Sequence, residues 1–282
     1  MTNAITPDDL PHFDRPPVVE TILGVQFDAL PGLTNAHLGV FWKQLGPDWP
    51  NLRDAPPISP QFERFGEAER WTAGGLRLRL IRDVDRRIQI RNATNDRMIQ
   101  IQNGRFHYNW LGHEGSEYPR YRKVRPEFDK HLDAFRAFLA AESFGQLRPN
   151  QWEVTYVNHI PRGSVWQEPR DWASLFPTLT VPPTRLSSTM RLESISGEWH
   201  FEIEPRRGRL HVHLQHMRLQ SPDGLEVLRL TLTARGPAGD GETIGVDLNQ
   251  GLNLGRKAIV TAFRDLTSEA AHEYWGLVYE HT

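Results

Sequence analysis

Three histidines and a glutamate lie within one stretch of the chain, EWHFEIEPRRGRLHVHLQH. If its PRRG segment closes a four-residue hairpin loop, Glu202 pairs with His211 and His200 pairs with His213. Because side chains alternate along a strand, all four would share one face of a sheet. Imidazole and carboxylate groups bind divalent metals, so the candidate metal ligands are His200, Glu202, His211 and His213. The alternative is ordinary cross-strand pairs on a water-facing sheet.

A second polar group surrounds Asn103-Gly104, a dipeptide typical of type I′ hairpin turns, in which both positions need positive φ. This turn predicts that Gln102 lies opposite Arg105 and that Gln100 lies opposite His107. Amide side chains on a sheet face can bind a polar ligand or a base edge, or they can simply face water. The polar face predicted here consists of Gln89, Gln100, Gln102, His107 and Asn109.

Aromatic and basic residues alternate in YPRYRKVR, just before a helical pattern. Tyrosines between cations can stack on and neutralise a nucleic acid or another anionic partner. Positive charge at a helix start opposes the helix dipole, so either Glu117 and Glu127 or an acidic partner should compensate it. The candidate ligand- or partner-binding residues are Tyr118, Arg120, Tyr121, Arg122 and Arg125. A nucleic-acid surface would also include Arg79 and Arg91.

Compact catalytic motifs are absent from the sequence: there is no phosphate-binding glycine loop, G-x-S-x-G, H-E-x-x-H, kinase set or calcium loop. GLNLGRK only superficially resembles a phosphate loop. Near the C-terminus, we interpret His272, Tyr274 and Trp275 as packing residues. We therefore favour a non-enzymatic protein and predict no cofactor. The alternative is a metal-assisted hydrolase that uses the histidine and glutamate cluster.

Composition narrows the function classes further. The 282 residues carry a formal net charge of −2 and contain no cysteine, which excludes disulfides, thiolate nucleophiles and cysteine-ligated metals. The first residues, MTNAITPDDLPHFDRPP, lack the basic and apolar regions of a secretion signal. No apolar run approaches the ~20 residues that a membrane span requires. We predict a cytoplasmic protein that does not enter a membrane.

Hydrophobic periodicity predicts alternating groups of strands and helices. Phe128, Leu132, Phe135 and Leu139 have the spacing of one apolar helix stripe. Strands are predicted at 18–27, 76–80, 88–90, 98–102, 105–110, 152–160, 188–195, 198–204, 209–219 and 225–235. Helices are predicted at 34–45, 118–142, with Pro126 in the first turn, and 252–264, followed by a turn that Thr267 caps and Gly276 ends. Residues 46–60 contain five prolines and are predicted to form a loop.

The predicted fold class is α+β, with two structurally similar halves. Each half is an antiparallel sheet of about four to five strands packed on a long helix. The predicted boundaries are a loose tail at 1–17, a first half at 18–148 and a second half at 149–282. Joined side by side, the two sheets would form one larger curved sheet whose surface could bind a partner.

Four stretches spread along the chain carry a resemblance to a known group of proteins. They are RPPVVETILGVQF, YPRYRKVRPEF, YVNHI and FRDLTSEAAHEYWG. Together, in this order, they resemble a sporadically distributed family of uncharacterised bacterial proteins. The resemblance implies a single full-length unit and carries over no activity, cofactor or site residue. A patchy distribution is typical of genes in mobile or defence-linked islands.

The function expected from these observations is binding rather than catalysis. The partner would be an unknown protein or a small ligand, within a bacterial defence or toxin-control cassette. A homodimer is compatible with this expectation, and nucleic acid is not excluded as a ligand.

Overall fold

A computed structural model of the protein describes residues 10–65, 86–113, 116–179, 190–220, 224–239 and 245–278. These residues form eleven strands, six α-helical segments and one short 3-10 helix at Pro169–Asp171. The strands are β1 (His12–Phe13), β2 (Val18–Phe27), β3 (Asn51–Ala55), β4 (Arg87–Arg91), β5 (Arg97–Gln102), β6 (Arg105–Leu111), β7 (Pro149–Pro161), β8 (Ser196–Ile203), β9 (Gly208–Arg218), β10 (Glu226–Pro237) and β11 (Leu277–Val278). The helical segments are α1 (Asn35–Gln44), α2 (Tyr121–Ala141), α3 (Trp172–Leu175), α4 (Glu204–Arg207), α5 (Leu248–Leu266) and α6 (Glu269–Trp275).

Nine strands form one continuous antiparallel sheet in the order β3-β4-β5-β6-β2-β7-β10-β9-β8. The mixed α+β class and the large antiparallel sheet agree with the prediction. Residues before 148 supply the first five strands of this order, and residues after it supply the other four. Strands β2 and β7 pair along almost their whole length, so the centre of the sheet is made by both parts of the chain.

The two faces of the sheet differ in chemistry because side chains alternate along each strand. One face is apolar and packs against α1, α2 and α5. The predicted stripe of α2, Phe128, Leu132, Phe135 and Leu139, is fully buried against it. The other face is polar, and we call it the polar face.

Trp152 of β7 fixes how closely α5 approaches the sheet. Its side chain is fully buried, and a Cβ built on Gly251 or Gly255 of α5 would lie 2.3 Å or 2.7 Å from its ring. A helix with side chains at these two positions could not pack this closely. Glycines therefore make a groove in α5 that receives the indole.

Several predicted boundaries are wrong for identifiable reasons. Strand β3 lies inside the predicted loop 46–60, because Pro56, Pro57 and Pro60 follow the strand and do not interrupt it. Residues 190–195 form no strand. Helix α2 begins at Tyr121, which places Pro126 beyond the first turn. The predicted strand 76–80 and Arg79 lie outside the described residues.

The tail and two turns also differ from their predictions. His12 and Phe13 pair with β11, so the described part of the tail is not loose. Helix α5 begins at Leu248, four residues before the predicted start, and Asp247 caps it by accepting hydrogen bonds from two backbone amides. Ser268 rather than Thr267 caps α6. Gly104 has a φ of 98°, whereas Asn103 does not have the positive φ that a type I′ turn needs. The predicted register of that hairpin is nevertheless confirmed.

Candidate functional site

The histidine and glutamate cluster pairs in a register that differs from the predicted one. His200 lies opposite His211, Glu198 opposite His213 and Glu202 opposite Arg209. The cause is the hairpin loop, α4, which begins one residue earlier than predicted, with positive φ at Glu204 and Arg206. Because pairing shifts by two residues in total, the four candidate ligands still share the polar face.

The four candidates do not converge on one point. His200 Nδ1 and His211 Nδ1 are 2.8 Å apart, and His211 Nε2 lies 2.7 Å from Glu63 Oε1. The carboxylate of Glu202 accepts a hydrogen bond from the backbone amide of Arg206. Among the described residues, no group of three or more histidine, aspartate or glutamate side chains is arranged to hold a metal ion.

The polar face of the first hairpin is buried and does not face water. Gln89, Gln100, Gln102, His107 and Asn109 are each between 0% and 8% exposed. Gln89 donates a hydrogen bond to Gln100, Gln100 donates to Asn109, and Asn109 donates to Glu20. Burial raises the pKa of Glu20. These amides form hydrogen bonds with one another, so in this structure they are buried groups of the protein interior.

Part of this burial comes from the segment Pro56–Phe65, which we call the strap. The side chain of Gln102 bonds to both the amide and the carbonyl of Ile58, at 2.8 Å and 2.7 Å. The amide of Gln61 donates to Gln26 Oε1, and the amide of Glu63 donates to Gln151 Oε1. Three glutamines of the polar face thus hold the strap by its backbone.

Below the strap, the carboxylate of Glu63 meets two arginine side chains and one histidine side chain. It accepts a hydrogen bond from Arg209, lies 2.7 Å from His211 Nε2 and lies 3.5 Å from Arg235 Nε. The Glu63 side chain is only 6% exposed. Burial by itself would raise the pKa of Glu63, but the hydrogen bond to His211 and the charges of His211, Arg235 and Arg209 outweigh burial and lower it.

A second carboxylate, Glu153, continues this network toward the centre of the sheet. It lies 3.3 Å from Arg105 Nη1, 3.6 Å from Arg235 Nε and 3.6 Å from His107 Nε2. Burial lowers the pKa of His107 to about 4, so its imidazole is neutral at pH 7. The ring lies against the backbone of Gly24, where a Cβ would be 2.5 Å from His107 Cδ2.

On the opposite, helix-packed face, a pocket lies between the N-terminal arm, the start of α2, and α5. Its cavity volume is about 70 Å³, well below the roughly 300 Å³ at which drug-sized sites begin, so it suits only a small ligand. We call it the arginine–tyrosine pocket, after the side chains that line it together with His12, Phe13 and Phe263. These side chains are Tyr118, Arg120, Tyr121, Tyr156 and Arg256.

Arg120 has a backbone conformation that is rare for a residue with a side chain. Its φ is 69° and its ψ is 157°, a region that is essentially restricted to glycine and costs about 1–3 kcal/mol. Its guanidinium lies 3.0 Å from His12 Nδ1 and donates to the carbonyl of Asp14. Contacts with His12 and Asp14 therefore hold this cation at the pocket wall in spite of the backbone strain.

The other polar groups of the pocket, besides His12, are three tyrosine hydroxyls, one amide and the guanidinium of Arg256. Burial raises the pKa values of Tyr118, Tyr121 and Tyr156, so these hydroxyls stay protonated at pH 7. Arg256 lies over the ring of Tyr121, with its Cζ 5.0 Å from the ring centroid. Asn158 is 1% exposed, and its Oδ1 has no hydrogen-bond partner among the described residues, although its Nδ2 donates to the carbonyl of Leu230.

The structure brings together only some of the predicted binding residues. Tyr118, Arg120 and Tyr121 line the pocket. Arg125 lies behind Tyr121, bonded to its hydroxyl and to Asp129 at 3.0 Å, and Arg122 is exposed. Arg91 is on β4, on the polar face, away from the others.

Three pocket residues were missed by sequence reasoning. Tyr156 and Asn158 lie in YVNHI, and Arg256 lies in GLNLGRK, the segment set aside as a superficial phosphate loop. The signal available was the strand pattern of YVNHI, in which Tyr156 and Asn158 are two residues apart and hence share a face. Nothing local in GLNLGRK indicates that Arg256 points toward Tyr121.

No protein-family model matches the chain, and no curated protein matches it. Within the described residues, no helix is both long and apolar enough to cross a membrane.

Proposed function

We propose that this chain is a non-enzymatic binding protein that holds a small organic anion in the arginine–tyrosine pocket. The observation that carries the proposal is that Arg120 and Arg256 both line a largely apolar pocket, and no carboxylate of the described residues forms an ion pair with either guanidinium. A bound carboxylate or phosphate would supply the missing negative charge. Tyrosine and phenylalanine rings would contact the apolar body of the ligand.

Three further features support this assignment. The unpartnered Oδ1 of Asn158 favours a ligand that also carries a hydrogen-bond donor. Strain at Arg120 is of the kind that persists where the surrounding structure holds a binding group in place. In addition, each of the four stretches that carry the sequence resemblance supplies at least one lining residue: Val18, Tyr118, Tyr156 and Phe263 are examples.

A calorimetric titration with simple aromatic acids tests the proposal. We expect 4-hydroxybenzoate, which has an anion, a ring and a donor, to bind more tightly than benzoate, and 4-hydroxybenzyl alcohol to bind least. Phenyl phosphate tests the larger anion. Failure of all the acids to bind would contradict the proposal.

Matched variants on each wall of the pocket localise the binding. We expect Arg256→Gln to weaken 4-hydroxybenzoate binding by about 10- to 100-fold, because a hydrogen bond to a charged group is lost. Lys257→Gln, at the next and exposed position of α5, should leave it unchanged. The same comparison applies to Arg120→Gln and the exposed Arg122→Gln. If the two variants of either pair weakened 4-hydroxybenzoate binding equally, the result would contradict binding in this pocket.

We also propose that the two halves arose by duplication. Each begins with the strand nearest the sheet centre, β2 or β7, and ends with its neighbour, β6 or β10, followed by a long helix. An alignment of homologous chains tests the duplication. Residues 18–148 should score higher against residues 149–278 than against shuffled versions of that sequence.

We propose separately that the protein resides in the cytoplasm, which its cysteine-free sequence favours.

A further inference from the structure

The strap is bound to the polar face largely through its backbone, with Glu63 as its buried charged side chain. Glutamine side chains bond to the backbone of Ile58, Gln61 and Glu63, and every extended peptide offers such backbone groups. Most strap residues, including Phe62, are exposed. The charged side chain that the strap buries is that of Glu63.

Glu63 therefore behaves like the carboxylate of a bound peptide. Arg209, His211 and Arg235 surround it. Arginines are crowded on this face: burial lowers the pKa of Arg87, and the nearby charges of Arg105 and Arg53 lower it further. This crowding favours any negatively charged group that reaches the face.

We propose that the polar face is a binding site for an extended acidic peptide of a partner protein, and that the strap occupies this site in the free protein. The ligand would present a glutamate or aspartate to Arg209, His211 and Arg235, and its backbone to Gln26, Gln102 and Gln151. This site is on the opposite side of the sheet from the arginine–tyrosine pocket and does not depend on it.

Replacement of the strap is physically inexpensive compared with opening a core. The side chains beneath it are amides and ion pairs, which water can solvate, so little apolar surface would be exposed. In the free protein the attached strap competes at a high effective concentration. An acidic peptide must therefore bind weakly to the unmodified protein and more tightly when the strap is weakened.

The decapeptide PPISPQFERF, which has the sequence of the strap, is a direct probe. Measured by fluorescence anisotropy, it should bind the Glu63→Gln protein at least tenfold more tightly than the unmodified protein. Asp54→Asn removes an exposed carboxylate just before the strap and should behave like the unmodified protein. The peptide PPISPQFQRF, which lacks the carboxylate, should bind at least tenfold more weakly to Glu63→Gln.

A second measurement keeps Glu63 in place, in case Glu63→Gln fails to fold. The chain has no cysteine, so Ser59→Cys gives a single labelling site on the exposed part of the strap. A spin label there should become more mobile when PPISPQFERF is added, and unchanged with PPISPQFQRF. An immobile label at about 1 mM peptide, or equal binding of both peptides to folded Glu63→Gln, would overturn the proposal. Peptide-reversible dimers of the free protein would overturn it too, because the occupant would then be a second copy.

Discussion

Arg120 and His107 are each held in a state that the residue by itself disfavours: Arg120 in its backbone conformation and His107 in its buried environment. Arg120 has a backbone conformation suited to glycine, and His107 is kept neutral in a buried, ion-rich environment. Such arrangements persist only where neighbouring contacts fix them. Both residues were candidate binding residues in the sequence, but only Arg120 lines an open pocket.

The backbone strain at Arg120 predicts that the glycine variant is more stable than the alanine variant at this position, the reverse of the order inside a helix. Arg120→Gly should unfold with a free energy about 1 kcal/mol higher than Arg120→Ala, because only glycine adopts this backbone conformation freely. At Arg122, inside α2, alanine should exceed glycine by about 1 kcal/mol. Urea denaturation measures all four variants. If the alanine variant has the higher free energy of unfolding at both positions, the backbone at Arg120 is not strained.

His107 predicts a pH-dependent loss of stability. Its pKa is about 4 in the folded protein and 6.5 in the unfolded chain, so the unfolded chain binds the extra proton between these values. Stability contributed by the neutral imidazole is complete above pH 6.5 and falls as the pH drops toward 4, by up to about 3 kcal/mol.

Comparison with His107→Gln isolates this contribution. The difference in unfolding free energy between the two proteins should change across pH 6.5 to 4 and stay constant above pH 7. His113→Gln, at an exposed position, is the control substitution. A difference that is independent of pH would contradict the assignment of a neutral, buried His107.

At the scale of elements, the contact between α5 and the sheet depends on a size match that spans the chain. Trp152 on β7 fits against Gly251 and Gly255 on α5. These two glycines lower the helix propensity of α5, so the local sequence by itself favours a helix only weakly there. Packing of the indole compensates for this weakness.

This packing predicts a reversal of the usual effect of removing a helix glycine. Gly255→Ala should lower the free energy of unfolding by about 1–3 kcal/mol, because its Cβ would lie 2.7 Å from the Trp152 ring. Gly39→Ala in α1, where nothing lies within 4 Å of the new Cβ, should raise it by up to about 1 kcal/mol. Thermal unfolding compares the two. Stabilisation of both variants would contradict the close approach.

The whole molecule is organised around the β2–β7 seam. Antiparallel pairing continues across this seam, with register irregularities near both ends of β2, and joins the nine strands into one sheet. Each half alone would leave one of these long central strands as an unpaired edge, and exposed edges of this kind aggregate. The predicted boundary near residue 148 therefore separates chain segments but not separate sheets.

Separate expression of the halves tests this organisation. We expect fragments 18–148 and 149–282 to be insoluble or unfolded alone, and to form one folded complex when co-expressed. Amide dispersion in NMR spectra distinguishes these states. A cooperatively folded single fragment would show that the seam is not required.

The sequence determined the features that depend on neighbours along the chain. Period-two alternation predicted most strands, the four apolar residues of α2 predicted its buried stripe, and Asn103-Gly104 predicted the register of its hairpin. Only the tertiary structure decided which polar residues are buried and which groups meet. Glu63 reaches Arg209, and Arg256 reaches Tyr121, from segments more than a hundred residues away. Local patterns specify which face a side chain is on, but what covers that face depends on long-range packing, which no short stretch of sequence records.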